Sequence, residues 1–319
     1  MKVCLRTAGL LALVALACPM AASAQAWPAK PIEWIVPFAP GGSTDVLARL
    51  VAEKLKDRLG QPILIVNRAG ANGDIGYKAA AAAAPDGHTI VLTVPAVVTN
   101  PLQLKAALDP SRLAPVIYLA DGPYVMLASQ KFPAGTIQEA VARIQAKPGS
   151  VSCGMTGGMG SIACQTLQVF AKSKVLEVPY RGVEPATVAI MAGDIDLVFS
   201  FSISAARPIE SGRVKALATT ALKRGSLPFP ELATVSEVLP GFEILGWSGV
   251  AVPAGTPGDI VSRLNREMNA VLAMPDVSAR LKAGGLAPVG GSTEDFGRRL
   301  KLVEQVLGKV LKDSGVTPQ

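Results

Sequence analysis

Between residues 32 and 94 the chain alternates short apolar runs with helix-periodic stretches, and that alternation leaves few folds open. The runs "IEWIVPF" (32–38), "PILIV" (62–66) and "HTIVLTV" (88–94) are rich in β-branched and aromatic residues, as buried strands are. Between the first two, Val46, Leu47, Leu50, Val51, Leu55 and Leu59 recur at the spacing that lines one helical face, and Gly60 supplies a stop. Between the second and third lie a glycine-rich turn "AGANGDIG" (69–76), an alanine-rich helix that takes in the six alanines at 79–84, and the turn Pro85-Asp86-Gly87. Strand, helix, strand, helix, strand is the order of right-handed crossover units, so the sequence predicts an α/β fold built on a parallel sheet.

The junction "PFAPGGSTDVLARL" (37–50) carries no catalytic base. It carries Gly41 and Gly42 in the turn, Ser43 or Thr44 as N-cap, and Asp45 in the first helical turn. Free backbone N–H groups at such a place suit an anion. Each charge-assisted hydrogen bond there contributes roughly 1.5–3 kcal/mol, and the helix dipole adds about 0.3–1 kcal/mol. A positive φ is expected at Gly42, so a β-branched side chain there would block the donors and strain the turn. From this segment alone, glycines that only make a tight turn and a Ser43 that only caps remain an equal alternative.

A second α/β series begins near "YVMLASQ" (124–130). Thr136 and Glu139 form a capping box for "TIQEAVARIQA", which "KPGS" closes. The stretch "VSCGMTGGMGSIACQTLQVFA" (151–171) then repeats the opening logic, with a short strand, a turn through Gly154, Gly157, Gly158 and Gly160, and Ser161 near a helix start. "VLEVPYRG" (175–182), "GDIDLVFSFS" (193–202) and "RVKALATT" (213–220) continue this second sheet. A proline-rich passage (228–240), a long strand "EILGWSGVAVPAG" (243–255) and three helical patterns from Pro257 to about Gly315 finish the chain. Two glycine-rich junctions, one per half, are placed to grip the two sides of an anionic ligand.

The first 26 residues read as a cleaved secretory signal: Lys2 and Arg6, the short apolar stretch "AGLLALVALA" (8–17), and the small-residue site Ala24-Gln25-Ala26 before Trp27. "VALAC" (14–18) also resembles a lipoprotein signal that would anchor the chain at Cys18, although Ala15 stands where a larger aliphatic residue is usual. Residues 27–319 hold no uninterrupted apolar run long enough to span a bilayer, so the exported chain is expected to be soluble. They are enough for two lobes that bury roughly three quarters of their unfolded surface. The formal net charge of +7, of which Lys2 and Arg6 belong to the leader, is scattered without a basic run, which argues against nucleic acid and for a mild attraction of small anions. In an oxidising compartment Cys153 and Cys164 are able to pair, and their spacing does not decide whether they do. His88, the only histidine, is read as structural; no metal or cofactor is expected.

Taken in order, "WPAKPIEWIVPFAPGGSTDVLARLVAEKL", "GQPILIVNRAGANGDIG", "APDGHTIVLT", "VPYRGVEPATVAIMAGDIDLVF", "SGRVKALATT" and "GWSGVAVPAGTP" resemble the Bug family, the extracytoplasmic solute receptors of tripartite tricarboxylate transporters, over nearly the whole exported chain. The resemblance implies a type II periplasmic-binding-protein fold, with lobe 1 from 27–124 plus 248–319 and lobe 2 from 125–247, closing on a small carboxylate. It implies a periplasmic monomer that hands its ligand to the membrane subunits of such a transporter. Carried over by motif, the first pincer is Phe38, Ala39, Gly41, Gly42, Ser43, Thr44 and Asp45, and the second is Thr156, Gly158, Gly160 and Ser161. Tyr180, Arg181, Gly182 and Ser200 lie on further loops that shape the ligand's far end. Where that family often has a histidine and, four residues on, a glutamate, this chain has Cys164 and Gln168, and His88 stands where a tyrosine is common. Two rival readings keep other roles open: a receptor for a membrane sensor kinase, and an exported enzyme with a Cys153 or Cys164 nucleophile, which lacks a nearby base.

Overall fold

The computed structural model describes residues 27–104, 106–156, 158–180, 182–226 and 228–313. The leader, its cleavage site and Cys18 lie outside them. Strand β1 (Ile32–Val36) runs parallel between β2 (Ile63–Asn67) and β3 (Thr89–Thr93), with Trp34 opposite Ile65 on one side and Ile90 on the other. Helices α1 (Ser43–Leu59) and α2 (Asp74–Ala81) make the two crossovers. Leu47, Val51, Leu55 and Leu59 of α1 join Ile32, Trp34 and Val36 in one buried cluster, whereas Val46 is 58% exposed and drops off the expected apolar face. Gly60 ends α1 in the left-handed conformation, its N–H donating to the Lys56 carbonyl at 2.8 Å. Helix α2 stops at Ala81, inside the alanine run, because the chain must turn before Pro85, and a residue preceding proline is disfavoured in a helix.

The expected parallel sheet is mixed. Beside β3 lies β9 (Leu245–Pro253), antiparallel to it, and beside β9 lies β4 (Leu113–Ser129), antiparallel again. The reason is topological, since β4 carries the chain out of the first strand group and β9 brings it back. Residues Leu113–Pro123 of β4 pair with β9, and its remaining residues from Tyr124 pair with β7 (Leu197–Phe201) and β8 (Val214–Thr219). The second group is completed by β5 (Ser152–Met155), parallel to both β7 and β6 (Leu176–Pro179). Sequence reading started this half at Tyr124; the structure starts its strand eleven residues earlier, because the polar stretch Asp121-Gly122-Pro123 reads as a turn and is extended instead.

Helix α3 (Ala96–Gln103) follows β3, and α4 (Ile137–Ala146) starts from the expected capping box, with Thr136 Oγ1 accepting from the Glu139 N–H at 3.2 Å. Helices α5 (Gly158–Ala171), α6 (Val183–Ala192) and α7 (Ser202–Glu210) alternate with the strands of the second group. A core of Ile137, Val141, Ile144, Ile162, Leu167, Leu197, Phe199 and Phe242 fills one side of that group. At the C-terminal end come α8 (Gly258–Leu272), α9 (Pro275–Ala283), the short β10 (Ala287–Pro288) paired with β4, and α10 (Thr293–Asp313), which packs against β4, α3 and α5. Among the described residues no helix is long and apolar enough to cross a membrane.

Candidate functional site

The first junction is a loop tied from within. Gly41 takes the positive φ (+82°), while Gly42 is extended at −71°, so the conformational demand falls one residue earlier than the sequence suggested. The Gly41 N–H is not free either: it donates to Asp45 Oδ2 at 3.0 Å. The same carboxylate receives Arg49 Nε at 2.9 Å and Nη2 at 3.1 Å, and Asn67 Nδ2 at 2.9 Å, while Asn67 Nδ2 also reaches the Phe38 carbonyl at 3.0 Å. Four donors fill the lone-pair positions of the carboxylate. The Arg49 hydrogen bond, with help from the Gly41 N–H and Asn67, holds the Asp45 pKa at about 2 although burial pushes the other way. Asp45 is therefore the knot of the loop, its carboxylate taken up by bonds within it.

What the loop does offer is the start of α1. The Val46 N–H makes the first bond of the helical ladder, to the Gly42 carbonyl at 3.0 Å. The N–H groups of Gly42, Ser43, Thr44 and Asp45 stand ahead of it without an acceptor in the described structure. Ala39, Gly41, Gly42 and Ser43 are exposed, with Phe38 and Thr44 half-buried beside them. The ends of β1 and β2 hold the loop in place, since Val36 and Asn67 are register partners.

At the second junction, β5 passes through Thr156 into α5, whose first residue Gly158 has φ +53°. Gly160 is needed for contact: a Cβ there would lie 2.3 Å from Thr156 Oγ1 and 3.0 Å from the Phe199 carbonyl. Its absence lets Thr156 and β7 close onto the helix start beside Ser161. Cys153 and Cys164 are joined in a disulfide with a Cα separation of 6.4 Å, which clamps the strand before the junction to the helix after it. Neither sulfur is a free nucleophile in that state. Tyr180 is half-buried and its N–H donates to the Met155 carbonyl at 2.9 Å; Gly182 caps α6 with φ +120°; Arg181 lies outside the described residues. Ser200, next to last in β7, is 1% exposed and its hydroxyl has no partner. A buried hydroxyl left unpaired costs about 1–3 kcal/mol.

The strands gather these residues into two edges. Thr156 and Ser200 sit at the carboxyl ends of the adjacent parallel strands β5 and β7, and Gly42, Asn67 and Thr93 follow or end the parallel strands β1, β2 and β3. Helices α3 and α5, which leave the two edges, pack against each other. Sequence reading missed Arg49, Asn67, Thr93, Thr99 and Gln165. The first is detectable as an Asp45–Arg49 pair four apart on a helix, and Asn67 as the polar end of an apolar run. Thr93, Thr99 and Gln165 are buried with unpartnered side-chain oxygens, and no local pattern marks them.

A cavity of about 510 Å³ lies away from both junctions, at the β4–β9 crossing, among Asp121, Gly122, Leu222, Glu243, Leu245 and Leu286. Burial raises the carboxyl pKa of Asp121 and of Glu243, and the Asp121 charge raises Glu243 further. His88 is structural, its Nε2 accepting from the Ala29 N–H at 3.3 Å. Among the described residues no cluster of three or more acidic, histidine or cysteine side chains is placed to hold a metal ion.

A family model described as the tripartite tricarboxylate transporter family receptor matches residues 47–315. Among solved structures the chain is similar to the R. palustris protein Rpa4515 with adipate, at 29% identity and a TM-score of 0.81 over 92% of this chain and 100% of that one. It is similar to the periplasmic binding protein BugD, at 30% identity and a TM-score of 0.77 over 92% and 100% of the two chains. It is similar as well to MatC from Rhodopseudomonas palustris with bound malate, at 30% identity and a TM-score of 0.75 over 89% and 100%.

Proposed function

The chain belongs to the tripartite tricarboxylate transporter receptor family of periplasmic solute-binding proteins, and on that footing we propose that it captures a small carboxylate between two lobes and delivers it to the membrane subunits of such a transporter. The lobes are residues 27–124 with 248–319, and residues 125–247. One ligand carboxylate is held by the N–H groups of Gly42, Ser43 and Thr44, with Phe38, Ala39 and Gly41 shaping the approach and Asp45 fixing the loop. Thr156, Gly158, Gly160, Ser161 and Ser200 close on it from the second lobe, and Tyr180, Arg181 and Gly182 meet its far end.

The observation that carries this reading is the tied loop at the head of α1, which holds four consecutive N–H groups without internal acceptors. Such donors, fixed in advance and assisted by the helix dipole, favour a carboxylate without requiring a buried cation. The adipate and malate complexes of the related proteins, both dicarboxylates, support the ligand class. The test is a thermal-shift panel of mono-, di- and tricarboxylates, amino acids, aromatic acids and sugars on the protein from Trp27 onward. A carboxylate is expected to stabilise it and to bind one per monomer near micromolar, or roughly −8 kcal/mol. Stabilisation by uncharged sugars and by no carboxylate would overturn the proposal.

A further inference from the structure

Phe201 ends β7 directly after the buried, unpartnered Ser200, and its ring lies at the crossing between the two strand groups. The crossing strands are bare there: Gly122 of β4 and Gly246 of β9 are register partners. A Cβ on Gly246 would lie 2.5 and 2.9 Å from Phe201 ring atoms and 3.2 Å from Tyr124; one on Gly122 would lie 3.3 Å from Phe201 and 2.5 Å from the Gly285 carbonyl. Tyr124 packs edge-on against the ring at 5.3 Å, and the next residue, Ser202, donates to the Gly285 carbonyl at 3.4 Å. A single ring thus bears on both connections between the groups, one residue from a hydroxyl at the candidate site.

We propose that Phe201 is a positioning residue for ligand capture: its ring is the bearing on which β4 and β9 turn, and it joins that turn to Ser200. This rests on the carboxylate-capture reading above. The two glycines leave no side chain between backbone and ring, so relative rotation of the strands must slide along or remake this contact. A ligand hydrogen bond to Ser200 Oγ fixes the end of β7, and with it the bearing. Closure is then selected by contacts that only one arrangement of the ring permits.

The test measures adipate and malate affinity, melting temperature and ligand-induced compaction for wild type, Gly246→Ala, Phe201→Leu, their double variant, and Val252→Ala as a control buried in the first group's core. Gly246→Ala and Phe201→Leu are each expected to weaken binding about tenfold and to blunt compaction. The double variant is expected to bind more tightly than Gly246→Ala, because leucine removes ring atoms that the new methyl strikes. Val252→Ala should lose melting temperature and keep wild-type affinity. Wild-type affinity in Gly246→Ala, simple additivity in the double variant, or an equal loss in Val252→Ala overturns the proposal. If Gly246→Ala does not fold, wild-type affinity in Phe201→Leu overturns it. If neither probe binds the wild-type protein, the carboxylate reading fails and this inference fails with it; binding without the variant pattern removes this inference alone.

Discussion

At the scale of single residues, Asp45 sets the shape of the first junction through the internal bonds of its carboxylate. Its side chain is 4% exposed and its pKa lies near 2, below the ordinary 3.8, so the native state is favoured by the ionised form. A depressed carboxylate contributes stability that is complete above its unfolded pKa and is lost as the pH falls through the folded one. With Arg49 half exposed, that contribution is on the order of 1–2 kcal/mol. Asp45→Asn should therefore melt lower than wild type at pH 7, and the gap should narrow between about pH 4 and pH 2; a gap that is constant with pH contradicts the assignment. Gly41 and Gly42 separate by φ. Gly41→Ala is expected to cost about 1 kcal/mol of stability through the left-handed conformation, whereas Gly42→Val, whose Cβ meets only the Ala39 carbonyl at 3.6 Å, should fold normally and lose carboxylate binding, as calorimetry on the folded variant would show. The two glycines were legible as a pair in the sequence. Which of them bears the strain was not, because that depends on the Asp45 carboxylate capturing the Gly41 N–H.

At the scale of elements, periodicity and caps were readable and pairing partners were not. The Thr136–Glu139 capping box and the Gly60 stop rest on contacts within a few residues and stand where the sequence puts them, whereas α1 is capped by Gly42, not by Ser43 or Thr44 as expected, and no side chain caps it. The pairing of β4 with β9 rests on partners more than a hundred residues apart, and its run into the second strand group on β7 and β8 partners many dozens of residues away, which no local pattern encodes. The disulfide belongs between these cases, with a spacing that permits it and a strand-to-helix turn that brings the Cα atoms to 6.4 Å. Closing an 11-residue separation stabilises by about 3 kcal/mol on chain entropy. The Cys153→Ser/Cys164→Ser variant is accordingly expected to lose on the order of that amount in urea unfolding, and reductant should lower wild type alone; equal responses of both proteins would show that the bridge does not form in solution.

At the scale of the whole molecule, the proposed function makes capture and closure one event. The two covalent crossings, near Gly122–Val125 and Gly246–Val250, lie side by side in the sheet through the Gly122–Gly246 pair, which suits a hinge. A ligand shifts the balance of open and closed forms only by its preference for one of them, and moving it from about 1:99 to 99:1 takes roughly 5.5 kcal/mol. A few charge-assisted bonds made only on closure are of that size. On the proposed function, the buried Ser200 hydroxyl and the Thr156 edge are the groups that would make them. Neither Thr93 nor Gln165 was legible as part of this region, since a lone buried polar residue acquires meaning only when distant strands assemble around it. The most direct measurement is small-angle scattering of the protein from Trp27 onward, with and without a saturating carboxylate identified by the thermal-shift panel. Closure on the ligand predicts an open free form whose radius of gyration falls on saturation. An open free form whose radius stays the same at saturation would contradict closure and leave a rigid pocket in its place.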